Sequence, residues 1–287
     1  MLYVQIKAGL GNQMFEYAFG RAASLEQNKP LSLDTSWYQN AAKKDTPRLF
    51  LLDKFNIQAK IATDLELLKY NTPLRKLYRK VIRRFKYKKD YLYNPKEMRS
   101  TSSYFEGHWA NEKYFKKYQD IIRNDLTLRN PLSPSANIVL ENIKSQKDCI
   151  AVSVHVRRGD CVTNQHAASF QGTVDTSYYD NSYSYLIQKF GAEKLVFYIF
   201  SDDINWAKEH ILKDKNSTYV SKPEIPDYEE LHLMSICSHN IIANSSFSWW
   251  GAWLNQNPDK IVIAPKQWLK DTTFNTTDVC PPQWIRI

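Results

Sequence analysis

CIAVSVHVRRGD, residues 149–160, runs apolar for most of its length and then presents His155, Arg157, Arg158 and Asp160 within six positions. A short apolar run with β-branched residues, bounded by polar ones, reads as a strand buried on both faces. The chain beyond it repeats the pattern. A helix near 178–190 precedes the strand LVFYIF at 195–200, and SDDINWAKEHIL then opens as a capped helix. A helix from Asp227 through Cys237, the strand NIIAN at 240–244, the helix SSFSWWGAWL at 245–254 and the strand KIVIAP at 260–265 complete the run. Strands alternating with helices predict an α/β fold with a doubly wound parallel sheet.

The amino-terminal part opens in the same way. Residues 2–7 are β-prone, Gly9 and Gly11 supply a tight loop, and Met14, Tyr17, Ala18, Ala22 and Leu25 then recur on one helical face. LSLD at 31–34 reads as the next strand. From about 53 to 147 the sequence is polar and helical, interrupted by Pro73, Pro95, Pro131 and Pro134, with one apolar patch, YFEGHW, at 104–109. The breakers in PLSP set the expected boundary, giving one domain over 1–147 with a helical insertion and a second over 148–287.

Composition narrows the class. Cys149, Cys161, Cys237 and Cys280 never form CxxC, so neither a zinc knuckle nor a disulfide framework is expected, and a reducing cytoplasm fits. Nowhere do about 18 apolar residues run uninterrupted, so a soluble protein is expected. The sequons at Asn216, Asn244 and Asn275 then read as chance matches. The net charge of +9 is concentrated: residues 75–89 hold nine Lys or Arg and no acid, and the excess of basic over acidic residues is those nine alone. Leu77, Val81 and Phe85 give that basic segment an apolar stripe at helical spacing. It reads either as a solvated helix or as a surface for anionic lipid headgroups at the inner membrane. No nucleic-acid module accompanies it.

In a parallel sheet the ligand crevice lies beyond the carboxyl ends of the strands. Three polar stretches fall there: HVRRGD, SDD and NSSFSWW. A guanidinium fork matches two phosphate oxygens, so Arg157 and Arg158 suit a diphosphate, unless they pair with a carboxylate such as Asp160. Ser245 and Ser246 stand at a helix amino terminus, where they either cap it or help hold an anion. Trp249 and Trp253 share a helical face and read as packing. Asp202 or Asp203 either caps the next helix or accepts from N1–H and the N2 amino group of guanine. AGLGNQ lacks the third glycine of GxGxxG, Met14 standing there, yet offers bare backbone and the Asn12 amide to a ligand. No DxD, HExxH, GxSxG or Walker loop is present, so the pattern predicts no metal and a leaving phosphate met by Arg, hydroxyls and amides.

AGLGNQMFEYA from residue 8, HVRRGD at 155, SDDINWA at 201 and HNIIANSSFSWWGAWLN at 239 together resemble the bacterial α-1,2-fucosyltransferases of glycosyltransferase family 11, and more distantly the wider GDP-fucose-dependent superfamily. The resemblance implies a GT-B architecture, two Rossmann-like domains facing across a cleft, with an amino-terminal acceptor side and a carboxyl-terminal side for GDP-β-L-fucose. It also implies inversion without metal or cofactor. Carried over by position, Arg157 or Arg158 holds the β-phosphate, and His155 with Asp203 or Asp202 addresses the guanosine. Ser245, Ser246 and Phe247 line the diphosphate and guanine end with Asn244 beside them, and Gly11 with Asn12 meets the fucose and phosphate. Cys161 stands where the family commonly has Tyr, and Ala8 where it usually has glycine.

On that reading an acceptor hydroxyl attacks the anomeric carbon in line as GDP departs. Asp160 is the nearest acidic candidate for the base, with Glu16 as another. The resemblance implies galactose in a cell-surface polysaccharide as acceptor. The alternatives are transfer to a different hydroxyl or from another GDP-sugar, and a non-catalytic nucleotide or polyanion binder.

Overall fold

The computed structural model describes residues 1–40, 46–74, 77, 81, 91–146, 148–213 and 215–287, and of Asn40, Asp160, His166 and Ala167 only the backbone. Apart from Leu77 and Val81, both exposed, the basic segment 75–89 lies outside the described residues. The chain divides into two compact units, residues 1–129 with 272–281, and residues 130–271 with 282–287.

In the first unit, strands β1 (Leu2–Gln5), β2 (Leu31–Asp34), β3 (Lys60–Ile61) and β4 (Tyr104–Phe105) form a parallel sheet in the order β3-β2-β1-β4. Helix α1 (Leu10–Gln27) follows β1 and ends at Asn28, whose left-handed backbone returns its N–H to Leu25. Gly20 lets α1 approach the sheet, because a Cβ there would lie 2.6 Å from the Val4 side chain. Phe19 stacks on Trp109 at 3.9 Å, which gives the YFEGHW patch its place in the core. Beneath them, Asp125 accepts from the Tyr17 hydroxyl at 2.6 Å and from Arg21 Nε at 2.9 Å. The segment 272–281 belongs to this unit through Asp278, which accepts from the Tyr93 N–H and from Lys113 Nζ. From 53 to 129 the expected helical insertion is, among the described residues, a set of short helical pieces, the longest Gln119–Asp125, with β3 and β4 between them, and the 12-residue helix Pro134–Ser145 packs in the second unit.

The second unit carries β5 (Ile150–Val156), β6 (Leu195–Ser201), β7 (Ser217–Tyr219), β8 (His239–Ile241), β9 (Val262–Ala264) and β10 (Ile285–Arg286) in the order β10-β9-β8-β5-β6-β7, all parallel. Helix α2 (Pro134–Ser145) precedes β5, while α3 (Ile204–His210), α4 (Asp227–Ile236) and α5 (Ser246–Leu254) come after β6, β7 and β8 in turn. Alternation sends Val152, Val154, Val156, Phe197 and Ile199 to one face of the sheet, where Tyr178, Tyr179 and Leu186 cover them. Ala151, Val196, Tyr198 and Phe200 go to the other, covered by Ala136 and Ile143 of α2 and by Leu233 and Met234 of α4. Both faces are buried, so both central strands are predominantly apolar, with Ser153 and His155 the polar positions of β5 and Ser201 that of β6.

This burial corrects the expected boundary. The division at 147/148 put α2 in the first domain, yet Ala136 and Ile143 are core residues of the second unit. Ser133 is the N-cap of α2 and Pro134 its first residue, so PLSP, which directly follows the division at 129/130, is also a helix start. Ser133 is tied into the second unit by Glu229, which accepts its hydroxyl at 2.6 Å and its N–H at 3.0 Å.

Candidate active site

The three polar strand ends lie on one edge of the six-stranded sheet, since β5 pairs with β6 on one side and β8 on the other, with Val156 beside Ser201. Asp202, the first residue past β6, organises the loop after β5. Its Oδ1 accepts the N–H of Arg158 at 2.8 Å and of Gly159 at 3.0 Å, and its Oδ2 pairs with Arg157 Nη1. A Cβ on Gly159 would overlap the same carboxylate, so only glycine admits this contact. Asp203 Oδ2 accepts from Arg158 Nε at 3.1 Å, while Oδ1 caps α3 through the Trp206 N–H at 3.3 Å. The Arg158 guanidinium lies 3.8 Å from the centroid of the Trp206 ring, which is stacked on His210 at 4.5 Å.

Among the described side chains the arginines pair with Asp202 and Asp203, the residues that the sequence reading assigned to guanine. Both pairs are partly exposed, the arginine side chains at 18% and 21%. Asp160 is the second residue of a helical turn, Gly159–Thr163, and its side chain lies outside the described residues. Trp206 carries Arg158 and was missed by sequence reading. Its signal was its place in SDDINWA, in the first turn of a helix capped by Asp203.

His155 is 5% exposed with its ring 5.5 Å from Phe247. Burial pushes its pKa down to about 4, Arg157 acting in the same direction and Asp202 against it, so the imidazole is neutral. Its Nδ1 is buried with no hydrogen-bond partner among the described residues. Ser245 is the N-cap of α5, accepting the Phe247 N–H at 3.3 Å, and Ser246 and Phe247 are half-buried in the first turn. Trp249 and Trp253 stack within the core at 6.2 Å. Asn244, by contrast, is a clasp. It donates to the carbonyls of Gln171 and Gly172 at 3.0 and 3.3 Å, and its own carbonyl accepts from Gln171 Nε2, which seals its sequon inside the fold.

Gly11 and Asn12 belong to the other unit, in the first turn of α1 at the carboxyl end of β1. Their loop is braced by Gln13, whose Nε2 donates to Ala8 O at 3.0 Å and Leu49 O at 2.7 Å while its Oε1 accepts the Leu51 N–H. Ala8 has φ +60°. Glu16 is fully buried. Its Oε2 accepts the Lys7 N–H at 2.8 Å and its Oε1 has no partner among the described residues. Burial holds its carboxyl well above the ordinary range, with Glu106 adding to the shift and Lys7 opposing it.

The sequence profile of glycosyl transferase family 11 matches residues 1–287. This chain belongs to that family. An alpha-1,2-colitosyltransferase of Escherichia coli is 34% identical over 100% of this chain and 99% of its own, and the O-antigen biosynthesis glycosyltransferase WbnK of the same organism is 30% identical over the full length of both. The crystal structure of fucosyltransferase NodZ from Bradyrhizobium superimposes with a TM-score of 0.50 over 87% of this chain and 91% of that one, at 12% identity. Both units of this family 11 glycosyltransferase are thus of the Rossmann-like, GT-B class. Among the described residues no helix is long and apolar enough to cross a membrane.

Proposed function

We propose that this chain transfers L-fucose from GDP-β-L-fucose to the 2-hydroxyl of a galactoside acceptor, with inversion and without a metal, in the assembly of a cell-surface polysaccharide. The observation that supports it is the pair of guanidinium groups at the end of β5, each fixed by a carboxylate of the neighbouring strand end. An Arg fork has five donors, and a fork already oriented loses little freedom when it meets a diphosphate. Arg157 and Arg158 neutralise the β-phosphate as GDP departs, and the free N–H groups of the first turn of α5 add to that. Neutral His155, with Phe247 beside it, faces the guanosine as a hydrogen-bonding ring rather than a cation. Asp160 accepts the proton of the acceptor hydroxyl.

The test is fucosyl transfer to a galactoside panel with linkage read by NMR. Arg158→Ala should lose transfer by about 10²-fold or more, the cost of removing one preorganised donor from a developing charge, with its melting temperature kept. Normal turnover would overturn the assignment. EDTA should leave activity intact, and an absolute need for Mn²⁺ would refute the metal-free step.

A second reading is colitosyl transfer, favoured by the 34% identity to an alpha-1,2-colitosyltransferase over the whole chain. Colitose lacks one hydroxyl of fucose, and a site built to bond a hydroxyl rejects its absence strongly. The ratio of kcat/KM for the two GDP-sugars decides between them.

A further inference from the structure

Asp203 anchors Arg158 by a single donor, Nε at 3.1 Å, in a partly exposed pair. One such bond sets the position of Nε and leaves the guanidinium plane able to turn about it. A phosphate would meet the four donors of the terminal nitrogens, so the plane is what matters for binding.

The indole of Trp206 supplies the missing constraint. The guanidinium carbon of Arg158 lies 3.8 Å from the centroid of the ring, and the Trp206 N–H is itself bonded to Asp203 Oδ1 at 3.3 Å. Arg158, Asp203 and Trp206 thus close a ring of three contacts around one carboxylate. The indole is held in its turn. It packs against the core cluster that includes Val156, Ala207 and Ile211, and it stacks on His210, one helical turn along α3, with the two planes 7° apart. His210 Nδ1 donates to the Trp206 carbonyl at 2.9 Å, which ties both rings to the same turn.

We infer that Trp206 is a positioning residue for the transfer reaction: its ring face fixes the plane of the Arg158 guanidinium, and with it the direction in which the fork meets a diphosphate. The inference rests on the donor site proposed above. Trp presents the best aromatic face to a cation, and a planar guanidinium stacks on such a face where a compact ammonium does not. The contact strengthens as water leaves, so it counts most when a nucleotide fills the site.

The experiment is calorimetric binding of GDP to the wild type, Trp206→Leu, Trp206→Phe, Arg158→Ala and the double variant Arg158→Ala/Trp206→Leu, with a melting curve for each. Leucine keeps apolar bulk against the core and removes the ring face. The Kd should rise about fivefold to tenfold, the scale of a partly desolvated cation–π contact. Phenylalanine restores a face and should bring the Kd back to within about twofold of the wild type. Arg158→Ala should raise it about tenfold or more, as for a lost hydrogen bond to a charged group. In that background the leucine change should add less than about twofold, because the ring then has no guanidinium to orient. An equal rise with and without Arg158 would overturn the inference, since a ring that only supported the fold would act in both backgrounds. A phenylalanine variant as weak as the leucine one would overturn it too. If Trp206→Leu melts too low to be measured, Trp206→Met, which fills irregular space, takes its place in the cycle with the same expectations. If Arg158→Ala loses GDP affinity while Trp206→Leu keeps it, the Trp206 inference alone fails. Wild-type affinity in Arg158→Ala would instead sink the donor site itself.

Discussion

The carboxyl edges of the two sheets obey the same topological rule and are built from opposite chemistry. In the second unit the edge is ionic: Arg157 with Asp202 and Arg158 with Asp203, all partly exposed and mutually fixed. In the first unit the corresponding edge is buried. Burial holds the Glu16 carboxyl well above its ordinary range, Asp34 is buried and accepts from the Tyr104 hydroxyl and the Ser36 N–H, and burial raises the Tyr38 phenol well above its ordinary value. Buried hydrogen bonds fix a backbone shape, whereas partly exposed ion pairs fix a pattern of charge that a ligand can still reach. The location of an edge predicts where a ligand sits, and the burial of its side chains decides which kind.

The sharpest way to break this contrast is Asp202→Ala. It removes the acceptor of Arg158 N–H, Gly159 N–H and Arg157 together. If pairing holds the arginines in place, turnover should fall about 10²-fold from misplacement alone. GDP affinity should meanwhile hold or improve, since one negative charge has left the site. Steady-state kinetics set against GDP binding reads this split. A raised kcat would mean that the acids restrain the arginines, and that the ionic edge is a lock rather than a template.

How much of this was legible depended on whether a signal was local. The strands β5 and β6 could be read because burial on both faces makes each a continuous apolar run that stops at a polar residue. The edge strands β3 and β10 have two residues each, and both residues of β3 are exposed, so no periodicity existed to find. The three polar strand ends were correctly placed on one edge. Their pairing was not, because Asp202 and Arg157 lie 45 positions apart and meet only through the register of β5 on β6. Asn244 also carries a long-range contact that its position did not announce: its side-chain N–H groups donate to a loop 72 and 73 residues away, while its Oδ1 is buried without a partner among the described residues.

Glu16→Gln tests the buried edge by a smaller effect. The native carboxyl binds its proton more tightly than the unfolded chain does, so unfolding free energy falls as pH rises above the ordinary value of 4.5 and levels off only beyond the native pKa. One such group contributes a slope of at most about 1.4 kcal/mol per pH unit. The glutamine variant keeps an acceptor for the Lys7 N–H and removes that slope. Urea unfolding at pH 5, 6, 7 and 8 should therefore show the variant gaining on the wild type toward alkaline pH. A constant difference would mean that Glu16 is ionised in the native state, which would erase the contrast between the two edges.

Ala8→Gly is the finest probe. The loop of the buried edge turns at Ala8 with φ +60°, a left-handed backbone that crowds an L side chain at a cost of roughly 1–2 kcal/mol. Three hydrogen bonds hold it there: the Ala8 carbonyl accepts from Gln13 Nε2 and the Tyr38 hydroxyl, and Gln13 Oε1 accepts the Leu51 N–H. Glycine relieves the crowding but frees the unfolded chain by about 0.5–1 kcal/mol. The net gain should be about 0.5 kcal/mol, or about 1–2 °C in the melting temperature of a chain this size. Transfer should stay near the wild-type level, because the bonds to Gln13 and Tyr38 are made by the Ala8 backbone and survive the change. A lowered melting temperature would show that the methyl group packs favourably in this turn. The strain would then be matched by contact, and the shape of this edge would rest on side chains rather than on its buried hydrogen bonds.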